Sequence, residues 1–434
     1  MNLRNIYTYI LAALLLTLPL KGQDPLTLTV ALEQALENNY GLIISRSDVE
    51  VAQINNNWGT AGRYPTIGFD ASDQINYELN SSTTANRVSA GVGLNWLLFD
   101  GFSVSITKSK LENLEDLSSG LLAVQVESTI EDIVLGYYYV LLQQERLQVL
   151  ETVKQLSEDR YEYELKKQSL GGSVTYNVLQ AKNVYLTDKA NYMNQEVVVR
   201  NTIRNLNFFM GLEPTQTWTF KEMFEADTSD YIFGDLLTRM KSTNQILKNQ
   251  FTNLLLKEDE TSLRQAAYYP TISMGTGIDY GHNWAMSGGT ENLNLGTLTP
   301  YGNVRISYDI YSAGVRRRGV EIAQINEDVA KVEIDQMEHA LTNELYNLSD
   351  YHGVQLELLT VADENLEAAE LNMSISEEKY RSGVINSFNY RDIQLIYLYA
   401  ALNRLQAVYN LISTNTQLTR ITGGYLGYAS DETP

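Results

Sequence analysis

The sequence contains no cysteine, three histidines (His282, His339 and His352) and seven prolines in 434 residues. Without cysteine there is no disulfide framework, thiolate zinc site, iron–sulfur cluster or thiol nucleophile. Three histidines leave few other metal ligands, and the sequence implies no metal and no cofactor. Basic residues are scarce as well: 32 Lys+Arg against 53 Asp+Glu give a formal net charge of −21. Nucleic-acid binding needs the opposite, a basic footprint, so no nucleic-acid partner is expected. Beyond the N-terminus no stretch reaches the roughly 18 consecutive apolar residues of a transmembrane helix. Any membrane span must then be built of β-strands, whose sequence signal is much weaker. At 44% hydrophobic and 10% aromatic residues, including 29 tyrosines, the chain is nevertheless a folded one.

The first residues read as an export signal. Arg4 precedes the apolar run Ile10–Leu18, too short to span a bilayer, followed by Pro19, Lys21 and Gly22. This layout predicts a secretory signal peptide over residues 1–22. With no cysteine at the processed terminus, no N-terminal lipid anchor is expected.

Five further prolines are Pro25, Pro65, Pro214, Pro270 and Pro300, with the last at Pro434. Residues 66–213 and 301–433 are therefore free of proline and open to very long helices. The same two stretches contain an internal repeat. Leu97-Leu-Phe-Asp-Gly101 aligns with Asp309-Ile-Tyr-Ser-Ala313 at an offset of 212, and Gly171–Leu186 aligns with Gly383–Leu398 at the same offset. Upstream the offset is 205, where Tyr64-Pro-Thr-Ile67 matches Tyr269-Pro-Thr-Ile272. The change falls between two strands, where a loop absorbs it. Length alone suggests two or three compact domains; the repeat replaces that division. The chain divides into a first repeat at 23–217 (β-hairpin about 66–98, helical hairpin about 103–210), a linker at 218–234, a second repeat at 235–424 (β-hairpin about 271–310, helical hairpin about 315–421) and a tail at 425–434.

Each repeat has the same order of elements. A helical segment (about 30–62 and 235–267) ends before a Tyr-Pro, because proline drives its predecessor out of the helical region. Period-2 segments follow. In the first, Ile67, Phe69, Ala71, Ile75 and Tyr77 alternate with Gly68, Asp70, Ser72, Gln74 and Asn76. In the last, Val304, Ile306, Tyr308 and Ile310 alternate with Asn303, Arg305 and Asp309. Segments of about ten residues suffice to cross a bilayer at a tilt. The apolar face ends in aromatics, Tyr77, Trp96, Tyr301 and Tyr308, placed as membrane-interface residues. Four strands cannot close a barrel, since the smallest membrane barrels need about eight. Three chains would supply twelve strands and leave no edge.

After each strand pair runs a helix of some 67 residues, about 100 Å at 1.5 Å per residue. Leu111, Leu114, Leu117, Leu121 and Val124 mark an apolar stripe on the first, and Ile322, Ile325, Val329 and Val332 one on the second. Gly171 and Gly172, and later Gly383, stand where C-capping glycines end a helix. Returning helices then cover Thr175–Phe209 and Ser387–Ile421. An exported coiled-coil stalk or adhesin-like scaffold is the alternative from another class. It leaves two identically placed β-hairpins without a purpose.

The Tyr-Pro-Thr-Ile strand starts, the junctions Leu98-Phe-Asp-Gly101 and Ile310-Tyr-Ser-Ala-Gly314, and the turn Tyr380-Arg-Ser-Gly-Val384 resemble the TolC-like outer-membrane factor family of bacterial efflux and type I secretion. The resemblance runs over nearly the whole mature chain. It implies a mixed α+β membrane protein in which long α-helical hairpins and transmembrane β-hairpins assemble as a homotrimer. That trimer would be a 12-stranded β-barrel in the bacterial outer membrane, contacting its lipid, with an α-helical barrel extending into the periplasm. The tip turns at Gly171, Gly172, Gly383 and Val384 would meet a periplasmic adaptor (membrane fusion) protein, itself joined to an inner-membrane pump of RND or ABC type. The family's constriction maps to Asn389 and Asp392, with Asn177 in the first repeat, and its gate-closing tyrosine to Tyr380. Ile385 stands where the family has an arginine, so the closing bonds are expected to be weaker.

Catalytic patterns lead nowhere. Ser105-Ile-Thr-Lys108 has the Ser-x-x-Lys spacing without companion motifs. Gly275-Thr-Gly277 lies in a strand, and Glu338-His339 lacks the second zinc-binding histidine. The expected protein is not an enzyme but a passive duct.

Overall fold

The computed structural model describes residues 25–79, 83–287, 290–293 and 296–425. The expected signal peptide and all of the C-terminal tail after residue 425 lie outside the described residues. The elements in chain order are α1 (Leu28–Asn38), α2 (Tyr40–Asn55), β1 (Thr66–Glu78), β2 (Thr83–Phe99), α3 (Ser103–Ser169), α4 (Thr175–Phe209), α5 (Phe233–Thr243), α6 (Gln245–Ala266), β3 (Thr271–Ser287), β4 (Thr290–Leu293), β5 (Thr297–Ser307), α7 (Val315–Arg381) and α8 (Ser387–Ile421). Helices α3 and α7 each have 67 residues, and α4 and α8 each have 35. No described helix is long and apolar enough to cross a membrane.

Two compact units share the chain. One comprises residues up to 43, 125–240 and 343 onward; the other comprises 44–124 and 241–342.

The first unit is helical. Its core packs Ile133, Tyr137, Val140 and Leu142 of α3 against Leu206 of α4 and Leu405, Val408 and Leu411 of α8. Tyr137 is fully buried, and its hydroxyl donates to the Leu26 carbonyl at 2.9 Å. Leu26 forms a parallel bridge with Phe220, and the Trp218 indole donates to Asn207 Oδ1 at 2.7 Å. The segment after α4 is thus pinned to the chain's beginning and to α4 itself.

Four helix ends repeat one construction. Gly171, Gly211, Gly383 and Gly423 all have positive φ, and at each the following residue donates to a carbonyl five back: Gly172 to Lys167, Leu212 to Asn207, Val384 to Lys379 and Gly424 to Thr419, all at 2.8 Å. This is the Schellman end, in which the left-handed residue returns the chain onto the last open carbonyls.

The second unit holds one antiparallel sheet. β1 pairs with β2, β2 with β3, and the other side of β3 takes β5 and, further along, β4. The expected fourth strand ends at Ser307, before Tyr308 and Ile310, and a short additional strand, β4, precedes it. Past that point Arg316 donates to the Asp309 carbonyl, so the backbone there is hydrogen-bonded by a side chain instead of a neighbouring strand. The register fixes the faces. Ile67, Phe69, Leu94, Val92, Ile278 and Val304 share one side; Gly68, Asp70, Gly91, Gly93, Gly277 and Asp279 share the other.

The helical segments expected at 30–62 and 235–267 are each broken in two, at Asn39 and at Asn244. Both asparagines have extended-type ψ (126° and 120°), and each side-chain oxygen accepts from a backbone N–H three residues on, Leu42 at 3.2 Å and Leu247 at 3.0 Å. An asparagine that caps the next helix is the local signal for this break.

Candidate functional site

Two helical hairpins, α3–α4 and α7–α8, meet near their turns in the first unit. Tyr380 is 5% exposed, and its hydroxyl donates to Glu164 Oε1 at 2.8 Å. The other carboxylate oxygen accepts from Ser173 Oγ at 2.5 Å. The Tyr380 ring stacks on Tyr390 at 4.7 Å and meets Tyr163 edge-on at 5.2 Å. One turn along α8, Arg391 makes a two-pronged pair with Asp188 of α4, at 2.8 and 2.9 Å. Arg160 of α3 is nearly fully buried and donates to the Ser387 carbonyl at 3.2 Å. Burial, with the like charge of Arg391 second, draws the Arg160 guanidinium below its ordinary pKa; Asp188 and Glu164 oppose that.

Burial also raises both phenols. Tyr390 is pushed up to about 12, by burial first and the Glu377 charge second. Tyr380 is raised by burial and by its bond to Glu164. A phenol raised above its unfolded value of 10.0 contributes stability that is complete below that pH and is lost as pH climbs through about 12. Spectrophotometric titration should show a late class of phenols whose ionisation coincides with loss of tip structure. Tyr380→Phe should shrink the late class, and a titration without a late class would contradict this.

The turns themselves are exposed. Leu170, Val174 and Val384 are 80%, 62% and 72% exposed, and Tyr176 stacks on Phe388 at 6.4 Å. Nothing lies within 4 Å of a Cβ built on Gly171 or Gly383, so φ alone requires glycine there. Asn386 caps α8 by accepting from the Phe388 and Asn389 amides at 3.0 and 2.9 Å.

On the sheet, the glycine row Gly93–Gly277 is covered by an aromatic side chain. The Tyr301 hydroxyl lies 2.9 and 2.8 Å from where Cβ atoms of Gly93 and Gly277 would stand. The opposite face is strongly exposed in the single chain: Ile67 and Phe69 each 73%, Val304 64% and Ile306 68%. The outer edges of β1 and β5 have no partner strand among the described residues.

An outer membrane efflux protein model matches residues 31–212 and 237–424. The chain belongs to the outer membrane efflux protein family. No curated protein is significantly similar in sequence. Among solved structures, the chain is similar to the channel-forming protein CusC (16% identity, TM-score 0.74, covering 91% of this chain and 92% of that one). It is also similar to the outer-membrane channel OprN (17%, 0.73, 92% and 90%) and to the Campylobacter jejuni outer membrane channel CmeC (15%, 0.73, 94% and 90%). At these identities the likeness is one of fold, mostly helical with a small sheet.

In this efflux-family chain the expected site residues separate into groups. Tyr380 sits inside the tip network. Asn177 is half-buried beside it, its amide 3.4 Å from Ser173 Oγ. Asn389 and Asp392 are exposed, and Asp392 has no basic partner within ion-pair distance among the described residues. Gly171, Gly172, Gly383 and Val384 form the exposed turns. Tyr77 and Trp96 lie on the apolar sheet face, with the Trp96 indole donating to the Arg63 carbonyl at 3.0 Å. Tyr308 follows the sheet under the Arg316 guanidinium, 5.4 Å away. Tyr301 is a correction: the register puts it on the polar, glycine face and not with the apolar-face aromatics. Lys108 of the Ser-x-x-Lys pattern bonds Glu112 and Asn56, both at 2.5 Å.

Sequence reading missed Glu164, Arg160, Asp188, Arg391 and Tyr390. Their counterparts 212 positions away are Ser376, Asn372, Ala400, Leu179 and Val178. Comparing the repeats for positions charged in only one of them would have found the first four.

Proposed function

We propose that three copies of this chain form an outer-membrane exit duct for efflux, with the sheet in the membrane and the helices in the periplasm. The observation that carries this reading is the pair of open sheet edges flanking a largely exposed apolar face. An isolated sheet of that kind is an aggregation hazard, and closure with two further copies removes both edges and leaves the apolar face to lipid. A second feature supports assembly. The stripe Ile322, Ile325, Val329 and Val332 on α7 is 59%, 56%, 48% and 64% exposed within the chain, while Ala323, Ala330 and Ile334 are its buried positions. A neighbouring subunit would cover that stripe.

The duct does no bond chemistry. Its polar strand face lines the lumen, Tyr380 and the charges around it hold the tip closed, and the apolar turns dock a periplasmic adaptor coupled to an inner-membrane pump. Opening draws its energy from partners that bind the open tip better than the closed one. Outer-membrane fractions should contain a heat-modifiable trimer with single-channel conductance in planar bilayers. A soluble periplasmic monomer would instead favour a stalk. Three copies of the unpaired Asp392 around a narrow mouth would concentrate negative potential. Asp392→Asn should therefore lower cation preference without changing trimer yield; unchanged selectivity removes Asp392 from this role.

A further inference from the structure

At the base of the sheet, Gly101, Phe102 and Ile106 face Ala266, Tyr268 and Tyr269 across an open groove of about 510 Å³. Phe102 meets Phe99 and Tyr269 edge-on at 5.4 and 6.1 Å, so the groove wall runs on from the last residue of β2. β2 and β3, which lead into this groove, are the inner strands. Their edges are occupied by β1 and β5, so a second copy joining the sheet would pair at β1 or β5 and not at these strands.

Arg316 stands beside the groove, and Arg264, Arg317 and Arg318 lie on the adjoining turns of α6 and α7. Arg316 lies over Tyr268 and Tyr308, at 5.7 and 5.4 Å, and donates to the Ala267 carbonyl and to Ser312 Oγ, both at 3.3 Å. Arg318 donates to the Ala313 carbonyl at 3.0 Å. The stem of Arg264, on α6, comes within 3.9 Å of a Cβ built on Gly319 of α7, which places it beside the same helical turn. Arg317 is exposed. Among the described residues none of the four has a carboxylate within ion-pair distance, although the chain has 53 acids for 32 bases. Nearby Lys108 and Lys110 each have one. The partners Arg316 and Arg318 do have are neutral oxygens, which fix their geometry and leave their charge uncompensated. Ile310 and Tyr311, 91% and 86% exposed, continue the apolar surface next to them.

We propose that the groove and these arginines hold an anionic phospholipid of the periplasmic leaflet, its phosphate on Arg264, Arg316 and Arg317 and its upper acyl chain against Phe102, Tyr268 and Tyr269. The assignment rests on the reading that the sheet spans the membrane. Guanidinium forks suit phosphate oxygens, and aromatic rings suit the boundary between headgroup and chain. The test uses the full trimer in nanodiscs of equal phosphatidylglycerol and phosphatidylcholine, with co-purifying lipid quantified by native mass spectrometry. Wild type should retain phosphatidylglycerol preferentially. Arg264→Gln with Arg317→Gln removes two exposed side chains that make no hydrogen bond or ion pair among the described residues, so folding should persist. At about fivefold per arginine, the double variant should lose about 25-fold of that preference, with conductance unchanged. Equal retention of both lipids by wild type, or an unaltered preference in the double variant, overturns the site. Displacement of phosphatidylglycerol by excess inorganic phosphate would mark a free-anion site and also overturns it. Trimers that conduct without lipid preference refute the lipid site alone; failure to insert or conduct refutes the duct.

Discussion

Asp188→Ala should loosen the contact between α4 and α8 more than any other single change at the tip. The Asp188 side chain is 4% exposed and that of Arg391 16%. Truncating one partner of a buried pair leaves the other charge without compensation, typically at 3–5 kcal/mol; the residual exposure of Arg391 argues for about 3. The nearest basic neighbour, Arg160, adds repulsion instead of relief. The loss is local, because the main core of Tyr137, Leu206 and Leu411 lies elsewhere along the same helices. Amides of α4 around residue 188 should therefore exchange about a hundredfold faster, and adaptor-free channels should open more often. Replacing both residues by leucine should restore protection, since a packed apolar pair avoids the desolvation cost that the ions bear. Unchanged exchange in Asp188→Ala would mean that the pair does not hold the helices together. Failure of the double variant to recover would assign Arg391 another partner.

That ion pair also marks the limit of what the sequence discloses. Helix extents are legible because their signals are local: proline-free stretches, then glycine at the left-handed position after Leu170 and Ser382. Strand faces were legible from period-2 alternation, except at Tyr301. That tyrosine was counted with the apolar aromatics, but its register position is the polar one, and Gly93 and Gly277 vacate the space its ring covers. The breaks at Asn39 and Asn244 leave no mark in the apolar pattern, which continues through them, although the two asparagines stand 205 apart, the same offset as the Tyr-Pro pairs. The tip network was hidden for a different reason. Asp188 and Arg391 are 203 positions apart, and no periodicity links residues that meet only when two hairpins pack. The apolar stripe at Ile322–Val332 was visible, and what it faces was not. The sequence pattern shows that a surface needs covering; only the structure shows that the chain leaves it uncovered.

The two strand-to-helix junctions allow a sharper test, because the duplication supplies its own control. Each junction places two successive residues at positive φ: Gly101 and Phe102 at 69° and 72°, Ala313 and Gly314 at 49° and 75°. Each has one glycine, at different positions of an equivalent turn. Surroundings account for the choice. A Cβ on Gly101 would collide with the Ala266 carbonyl oxygen and come within 2.8 Å of Tyr269 Cβ, both fixed by α6 and the start of β3. A Cβ on Gly314 would approach only the end of the flexible Arg318 side chain, at 2.9 Å. The left-handed conformation itself costs an L-residue about 1–2 kcal/mol. Gly314→Ala should destabilise by about that amount and no more. Gly101→Ala adds a backbone collision, so the expected cost is about 3 kcal/mol or greater. Ala313→Gly should be neutral to slightly stabilising, because relief of the left-handed strain is only partly offset by the roughly 0.5–1 kcal/mol of backbone freedom that glycine brings to the unfolded chain. The checks are urea denaturation of the folded chain and the yield of heat-resistant oligomer. Equal losses for Gly101→Ala and Gly314→Ala would show that φ alone governs both junctions and that the close approach of α6 to the β2–α3 turn contributes nothing.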